Sequence, residues 1–381
     1  MASFTVSNDD PLILEQGGAH SWRRRARIPK DRYFSPERAE RERAWFEAGW
    51  VLVGSTLQLE QPGDFLTSQL FDQPVLVVRQ ADRSIRAFHN VCSHRGRRLV
   101  DEAAGTAQRF RCTYHEWTYS LDGQLRGVPH GSTFPDLDRA ACGLKQVRVD
   151  EWSRLVFVNL DGGAEPLAEY LGPMRDCLGD WLEGKRLISS RSLEQSCNWK
   201  LLLDNFYEFY HLDGLHPQRT GKLVPQHAAF VLFERHALQV NPYASERAWS
   251  PSRRWQNWLE VPRTRACGFS FHLSLFPNVS VHINPEFGGT SFIQALPHPT
   301  DPERSTVNTW SFSLDDGPMD MSIREQGAQD FANCPPHVAG LRSRAFREQI
   351  MSAYECRVSH FHAAMDEFLD RRDQVEKRRP G

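Results

Sequence analysis

Short apolar runs separated by turn residues dominate the chain up to about residue 160. The runs 74–79 and 84–89 flank a polar turn at 81–83, a pattern typical of a β-hairpin. Asp122-Gly123 is a further strong hairpin signal. The pattern therefore predicts a β-rich domain.

Helical signals precede and follow this region. Residues 36–49 read as a helix capped by Ser35, with Pro36 at its first position. Further along, the pattern predicts helices or strands at 166–181 (helix), 198–212 (helix), 228–241 (strands), 269–312 (strands) and from Arg342 onward (helix). We therefore predict an α+β protein in which helices cover an antiparallel sheet. The predicted divisions are an N-terminal segment (1–49) that packs on the last domain, the β-rich domain (50–160) and the last domain (161–381).

Composition narrows the functional classes. The 381 residues have a net charge of −2, which gives no electrostatic case for nucleic acid or a membrane surface. The first residues lack the basic stretch and apolar run of a signal peptide, and no apolar window is long enough to span a bilayer. The eight cysteines are scattered rather than arranged as a disulfide framework. We expect a cytoplasmic protein.

Two short segments carry candidate metal ligands. Each pairs one cysteine with one histidine: Cys92 with His94, and Cys112 with His115. Two thiolates and two imidazoles in this order could hold an iron–sulfur cluster with a raised reduction potential, roughly −150 to +300 mV. Structural zinc is the alternative, although zinc fingers usually group the cysteines together and the histidines together. The spacing favours a redox cluster.

These segments resemble the Rieske domain of the Rieske non-haem iron oxygenases. The match runs from Asn90-Val91-Cys92-Ser93-His94-Arg95-Gly96 through Cys112-Thr113-Tyr114-His115-Glu116-Trp117-Thr118-Tyr119. Thr113 replaces the proline of the family's second box, and Glu116 replaces its glycine. Neither is a ligand in the family, but the charge of Glu116 could lower the cluster's potential or alter docking of a redox partner.

A second candidate site lies in 198–216. Glu208 and His211 are three residues apart, so a helix would place them on one face. Gly214 can end that helix and bring His216 near His211. Two histidines and one carboxylate form the facial triad of non-haem Fe(II). Ordinary hydrogen-bonded histidines are the alternative, but a redox cluster in the same chain needs an electron acceptor, which favours iron.

This segment also resembles the catalytic-domain motif of the same oxygenases. The resemblance implies that His211 and His216 bind the mononuclear iron, and that Glu208 bridges cluster and iron between neighbouring subunits. Glutamate at that position resembles the subgroup that oxidises quaternary amines. For the third ligand the candidates are Asp315, Asp316, Asp320, Asp330, Glu355 and Asp366.

The stretch Gln329-Asp330-Phe331-Ala332-Asn333-Cys334 is similar to the family's Glu-Asp-x₃-Cys pattern, which favours Asp330. His360 and His362 are two apart, so a helix sends them to different faces, and we interpret them as packing or surface residues. The resemblance implies a helix-grip catalytic domain and a homotrimer.

The predicted function is that of a terminal oxygenase component. It would use O₂ and electrons relayed from a [2Fe–2S] cluster to Fe(II) to hydroxylate or oxidatively demethylate a small substrate. We favour a quaternary amine, which rings such as Phe206, Tyr207, Phe209 and Tyr210 could hold by cation–π attraction, although the same rings could simply pack the core. The alternative is ring hydroxylation of an aromatic acid.

Partners follow from what the sequence lacks. No Gly-x-Gly-x-x-Gly fingerprint is present, so NAD(P)H should act only through a separate reductase, with or without a ferredoxin. An electron carrier or ligand-binding module without catalytic iron is a competing hypothesis of a different class. A zinc-stapled structural protein is the third.

Overall fold

The computed structural model describes residues 11–15, 26–177, 181–216, 228–242, 269–285, 289–314 and 321–378. The helices in these ranges are α1 (Pro36–Ala48), α2 (Leu167–Leu171), α3 (Trp199–Phe206), α4 (Leu212–Leu215), α5 (Met321–Leu341) and α6 (Cys356–Arg378). The strands are β1 (Leu12–Glu15), β2 (Arg27–Pro29), β3 (Val51–Ser55), β4 (Asp64–Leu70), β5 (Gln73–Arg79), β6 (Ile85–His89), β7 (Ala104–Thr106), β8 (Phe110–Arg111), β9 (Thr118–Tyr119), β10 (Leu125–Gly127), β11 (Gln146–Trp152), β12 (Leu155–Asn159), β13 (Arg186–Gln195), β14 (Ala229–Leu232), β15 (Ala237–Pro242), β16 (Phe269–Leu275), β17 (Val279–Asn284), β18 (Gly289–Pro297), β19 (Ser305–Ser313) and β20 (Glu348–Ile350).

The chain divides into two compact units. One comprises Met1–Glu42 and Leu171–Gly381, and the other comprises Arg43–Tyr170. The boundaries suggested by sequence, 1–49, 50–160 and 161–381, stay predictions.

The smaller unit is built from two sheets. Seven strands form one sheet in the order β3-β12-β11-β6-β5-β4-β7, and three short strands form the other in the order β10-β9-β8. Both predicted hairpins are present: β5 pairs antiparallel with β6, and β9 pairs antiparallel with β10. Gly123 in the second turn has φ +85°, a conformation that glycine adopts without strain.

The larger unit contains an eight-stranded sheet in the order β1-β14-β15-β16-β17-β18-β19-β13. All neighbouring pairs are antiparallel except β1 with β14. Helix α3 contacts β17 and β18, and α6 contacts β14. The predicted α+β architecture, with helices on an antiparallel sheet, is confirmed.

Local sequence explains where two important helices begin. The Ser35 hydroxyl accepts a hydrogen bond from the N–H of Arg38, so α1 is capped as predicted. The Asn198 side chain caps α3 by accepting from the N–H of Lys200. Helix α3 then buries three successive leucines, Leu201 to Leu203, which anchor it in the unit's core.

Several predicted element boundaries were wrong. The helix predicted over 198–212 ends at Phe206, because residues 207–211 form a turn before α4. In the part of 166–181 that the structure describes (166–177 and 181), the short helix α2 is followed by a 3₁₀ segment, Gly172–Cys177. The C-terminal helix begins at Cys356 rather than near Arg342. Within the described residues, none of the helices is long and apolar enough to span a membrane.

Candidate metal centres

The two cysteine–histidine loops of the smaller unit are built alike. In each, the residue four positions after the cysteine donates its N–H to the cysteine carbonyl: Gly96 to Cys92 at 3.0 Å and Glu116 to Cys112 at 2.9 Å. Both residues have positive φ, +73° for Gly96 and +61° for Glu116. The second loop therefore places a glutamate in a conformation that favours glycine.

The four predicted cluster residues lie together. Both thiols are buried, with 1% of each cysteine exposed, and the rings of His94 and His115 have centroids 4.6 Å apart. His94 stacks on Trp117 at 4.8 Å with its Nδ1 buried and unpartnered among the described residues. An orphaned ring nitrogen beside two buried thiols fits a metal cluster, because metal coordination would satisfy it.

Two groups modify the first loop's thiol. Burial raises the pKa of Cys92, while the Tyr119 hydroxyl at 3.4 Å from its Sγ opposes this shift. The N–H of Ser93 donates to the Tyr119 oxygen at 3.0 Å, which leaves the hydroxyl proton free to point at the sulfur. Hydrogen bonds to cluster sulfurs are one means by which a protein sets a reduction potential.

Glu116 is less influential than its charge suggests. It forms an ion pair with Arg111, and both side chains are more than half exposed. Solvent and the guanidinium therefore screen the carboxylate.

In the larger unit, His211, His216 and Asp330 converge. Their ligand atoms all lie within 4.8 Å of one another. The Nε2 atoms of the two histidines are 3.6 Å and 2.9 Å from the same carboxylate oxygen of Asp330. Of the other candidates, Asp366 binds Arg32, Glu355 caps a 3₁₀ turn, and Asp315, Asp316 and Asp320 lie outside the described residues.

The hydrogen bonds of His211 and His216 show which ring nitrogen of each carries the proton and which presents a lone pair to Asp330. His211 Nδ1 lies 2.5 Å from Glu208 Oε1, and His216 Nδ1 lies 2.6 Å from Gln329 Oε1. A carboxylate and an amide oxygen only accept, so each Nδ1 donates, and in a neutral ring Nε2 then carries a lone pair. Two lone pairs facing a carboxylate oxygen repel one another unless a cation lies between them. The donor set therefore fits Fe(II).

The negative charges around His211 also favour binding of a cation. Burial lowers the pKa of His211, but the hydrogen bond and charge of Glu208 and the charges of Asp330 and Glu355 outweigh it and raise that pKa.

The predicted route by which Glu208 meets His211 was wrong, although the contact is present. Glu208 is not helical. It lies in the turn after α3, where its carboxylate accepts from the N–H groups of Tyr210 and His211, just before α4. These local hydrogen bonds to the backbone, rather than helical spacing, orient the pair.

Sequence reasoning missed two residues that support this site. Asn205 donates from Nδ2 to Asp330 Oδ1 at 2.9 Å, and Gln329 supports His216. Gln329 stood out in the sequence only as a departure from the family's glutamate. His360 and His362 are both buried, so the packing interpretation is correct and the surface alternative is wrong; His362 lies 3.1 Å from Asp204.

A cavity of about 100 Å³ adjoins the site. The side chains that shape it include Phe206, Phe209, His272, His282, Asn284 and Ser291. Of the four rings considered for a cation cage, Phe206 and Phe209 line it. Tyr207 is buried with its hydroxyl on the Val279 carbonyl, and Tyr210 is 67% exposed.

Comparison with known proteins finds two family models that match this chain. Residues 49–146 match the Rieske [2Fe–2S] domain, and residues 182–371 match the catalytic domain of the ring-hydroxylating alpha subunits. The chain belongs to the Rieske non-haem iron oxygenase family. The prediction of the family, with its [2Fe–2S] and mononuclear iron cofactors, is confirmed.

The curated relatives include two oxygenase subunits. The glycine betaine monooxygenase oxygenase subunit of Chromohalobacter salexigens is 34% identical over 234 residues, which cover 58% of this chain and 51% of the relative. The carnitine monooxygenase oxygenase subunit of Acinetobacter pittii is 31% identical over 270 residues, covering 69% and 65%. The chain thus spans about half the length of the first relative.

A solved structure shares the fold. The quaternary ammonium Rieske monooxygenase CntA superposes with a TM-score of 0.77, covering 90% of this chain and 94% of that one at 21% identity.

Proposed function

We propose that this chain is the terminal oxygenase component of an enzyme system, and that it hydroxylates or oxidatively demethylates a small quaternary amine. The observation that carries the proposal is the convergence of His211, His216 and Asp330, within 4.8 Å, in a chain that also has a Rieske domain. A carrier without catalytic iron would have no use for that donor set.

The residues have distinct roles in this proposal. Cys92 and Cys112 hold one iron of the cluster, and His94 and His115 hold the other. The triad in the larger unit holds the mononuclear Fe(II). When bound, the cluster supplies single electrons and the mononuclear iron supplies O₂ activation.

The side chains around the triad orient its donors. Glu208 and Gln329 keep the proton of each ligand histidine on Nδ1, so both Nε2 atoms are ready to bind metal. Asn205 fixes the Asp330 carboxylate by donating to one of its oxygens. Phe206 and Phe209 give the cavity an apolar wall that excludes water.

Glu208 has a second role in the proposal. Its carboxylate would also accept a hydrogen bond from a cluster histidine of a neighbouring subunit, which connects the two centres across the interface of a homotrimer. Its side chain is 11% exposed, which is compatible with such a contact.

We further infer that electrons arrive from a separate reductase, with or without a ferredoxin, in the cytoplasm. The lack of a dinucleotide fingerprint in the sequence and the designation of the relatives as oxygenase subunits support this inference.

The proposed substrate class rests on three supports. The relatives named above act on glycine betaine and carnitine, the acid at position 208 is glutamate, and two phenyl rings line the cavity. Ring hydroxylation of an aromatic acid is the competing function, since the matched catalytic family is named for that reaction.

The first test is metal content combined with a ligand variant. Reconstituted protein should contain about three irons per chain, two in the cluster and one in the triad. His211→Ala should lower this to about two, keep the cluster's visible spectrum and abolish product formation. Product formation at the parent rate would place the catalytic iron elsewhere.

The second test separates electron delivery from metal binding. Glu208→Gln should keep both metals and slow turnover, measured as substrate-dependent O₂ uptake with a surrogate reductase. Unchanged turnover would remove the bridging role. The same assay, run on quaternary amines and simple aromatic acids side by side, decides between the two substrate classes.

A further inference from the structure

Polar side chains form a row across one face of the eight-stranded sheet, on the side that lines the cavity. Gln239, His272, His282 and Ser291 lie directly opposite one another on the neighbouring strands β15 to β18. Directly opposite residues share a sheet face. His272, His282 and Ser291 line the cavity beside the candidate iron site.

Both histidines occur in the same local pattern, Ser-x-His. Ser270 precedes His272 and Ser280 precedes His282 by two residues, and each serine hydroxyl lies 3.0 Å from the Nε2 of its histidine. The serine and histidine of each pair share a face because strand side chains alternate. Each serine therefore holds its ring in a defined orientation.

The hydrogen bonds of Ser280 define the protonated nitrogen of His282. The Ser280 hydroxyl donates to the Phe206 carbonyl at 3.2 Å, which uses its single proton. Towards His282 the same oxygen can then only accept, so Nε2 of His282 carries the proton. In a neutral ring, Nδ1 is left as a hydrogen-bond acceptor, and no hydrogen bond from the described part of the chain occupies it.

The surroundings keep this ring neutral. Burial, together with the charges of Arg357 and His211, lowers the pKa of His282 to about 4, against the opposing charge of Asp330. Burial and the neighbouring His282 lower the pKa of His272 as well. The described residues that line the cavity include the carboxylates of Glu208 and Asp330 but no lysine or arginine. This wall accepts hydrogen bonds and offers a substrate carboxylate no cationic partner.

We propose that His282 determines substrate specificity by accepting a hydrogen bond at Nδ1 from a hydroxyl group of the substrate. Given the proposed function, on which this inference rests, the substrate is a quaternary amine that carries a hydroxyl group. A quaternary nitrogen has no N–H to donate, so a hydroxyl is the donor that such a molecule can offer. The cationic head would lie near the two carboxylates and the phenyl rings of the cavity.

The test compares matched ligands that differ by one hydroxyl. Two pairs serve: (2-hydroxyethyl)trimethylammonium with ethyltrimethylammonium, and (3-hydroxypropyl)trimethylammonium with trimethylpropylammonium. Dissociation constants are measured by calorimetry on the iron-loaded enzyme without O₂. In at least one pair, the hydroxyl compound should bind about tenfold more tightly, since its absence leaves a buried acceptor unpaired. Equal affinities in both pairs, or no binding of either hydroxyl compound, would overturn the proposal.

Two substitutions at one position then locate the acceptor. The oxygen of Asn can take the place of Nδ1, whereas the oxygen of Gln takes the place of Nε2. His282→Asn should keep the hydroxyl preference and His282→Gln should lose it. Ser280→Ala frees the ring to exchange tautomers and should reduce the preference, whereas Ser192→Ala, the same change at an exposed position on β13, should not. A preference that survives in the Gln variant would refute the role of Nδ1.

Failure of this inference can be told from failure of the proposed function. If the triad binds no iron, or no quaternary amine stimulates O₂ uptake, the proposed function fails. If iron binds and amines are oxidised but the hydroxyl makes no difference, only the role of His282 fails. The cluster spectrum of each variant confirms that it is folded.

Discussion

Removing one charge from the buried ion pair between Glu42 and Lys200 should strongly destabilise the larger unit. Lys200 Nζ lies 2.6 Å from Glu42 Oε2, and the two side chains are 1% and 2% exposed. Glu42 also accepts from Trp199 Nε1 at 3.3 Å and from Arg38 Nε at 3.0 Å. This network joins α1 to the start of α3, the helix that leads into the iron site.

Glu42 has other hydrogen-bond donors besides Lys200, so the expected loss of stability depends on which of the two residues is replaced. Glu42→Gln leaves the Lys200 ammonium buried without a countercharge, which should destabilise the unit by about 3–5 kcal/mol. Lys200→Met leaves Glu42 with Arg38 and the indole, so the loss should be about 1–3 kcal/mol. The double variant should cost less than Glu42→Gln alone, because no uncompensated charge remains.

The assay is equilibrium urea unfolding of all four proteins, with amide hydrogen exchange of α3 reporting on this unit. Losses that simply add, or a larger loss for Lys200→Met than for Glu42→Gln, would refute the reasoning. The loss of folding stability should also depend on pH. Burial lowers the pKa of Lys200 in the folded protein.

The sign of that dependence follows from proton counts. Between the lowered folded pKa and the unfolded value of about 10.4, the unfolded chain binds more protons, so stability rises with pH. Without Glu42 the folded pKa falls further. The Glu42→Gln variant should therefore gain more stability than the parent between pH 7 and pH 10, and a flat or opposite difference would contradict the assignment.

Three further outcomes can be checked directly. Tyr119→Phe removes a donor to a cluster-loop thiol and should lower the cluster's reduction potential in a redox titration; an unchanged potential would show that the hydroxyl does not act on the sulfur. Glu116→Gly should raise stability by about 1 kcal/mol in thermal melts and Gly96→Glu should lower it by a similar amount, since both positions have positive φ; changes in the same direction would refute this account. Gln329→Leu should weaken iron binding by about 10–100-fold in chelator competition, because His216 loses the acceptor that orients it, and parent-like affinity would exclude that role.

Much of the site could be predicted from sequence because its chemistry is concentrated in short segments. Cys92 with His94, and Cys112 with His115, are close enough in the chain for local turns to gather each pair. The Ser35 cap and Pro36 likewise fix the start of α1 through local hydrogen bonds. Resemblance to a family then joined these segments into a function.

What the sequence could not supply are contacts between distant segments. Asn205 meets Asp330, and Gln329 meets His216, across more than a hundred residues. Neither pairing has a local periodicity that would reveal it. The helix predicted through Glu208 failed for a related reason: the carboxylate satisfies the N–H groups of the next turn, which competes with continuing α3.

The residues that line the cavity could be predicted from the sequence only in part. The alternation Ser-x-His-x-Ser in β16 and Ser-x-His-x-Asn in β17 marks two strands with one polar face. Alternation alone does not tell whether that face meets solvent, helices or a ligand. Only the structure shows that Ser270, His272, Ser274 and Ser280 are buried and that His282 and Asn284 line the cavity.

That alternation also protects the folding of the sheet. If β17 slipped by one residue against β16, Val281 and Ile283 would exchange faces with Ser280 and His282. Imidazoles and hydroxyls would then enter an apolar layer without partners, and aliphatic groups would occupy the polar one. The side chains that we propose for substrate selection thereby also guard the chain against a misaligned hairpin.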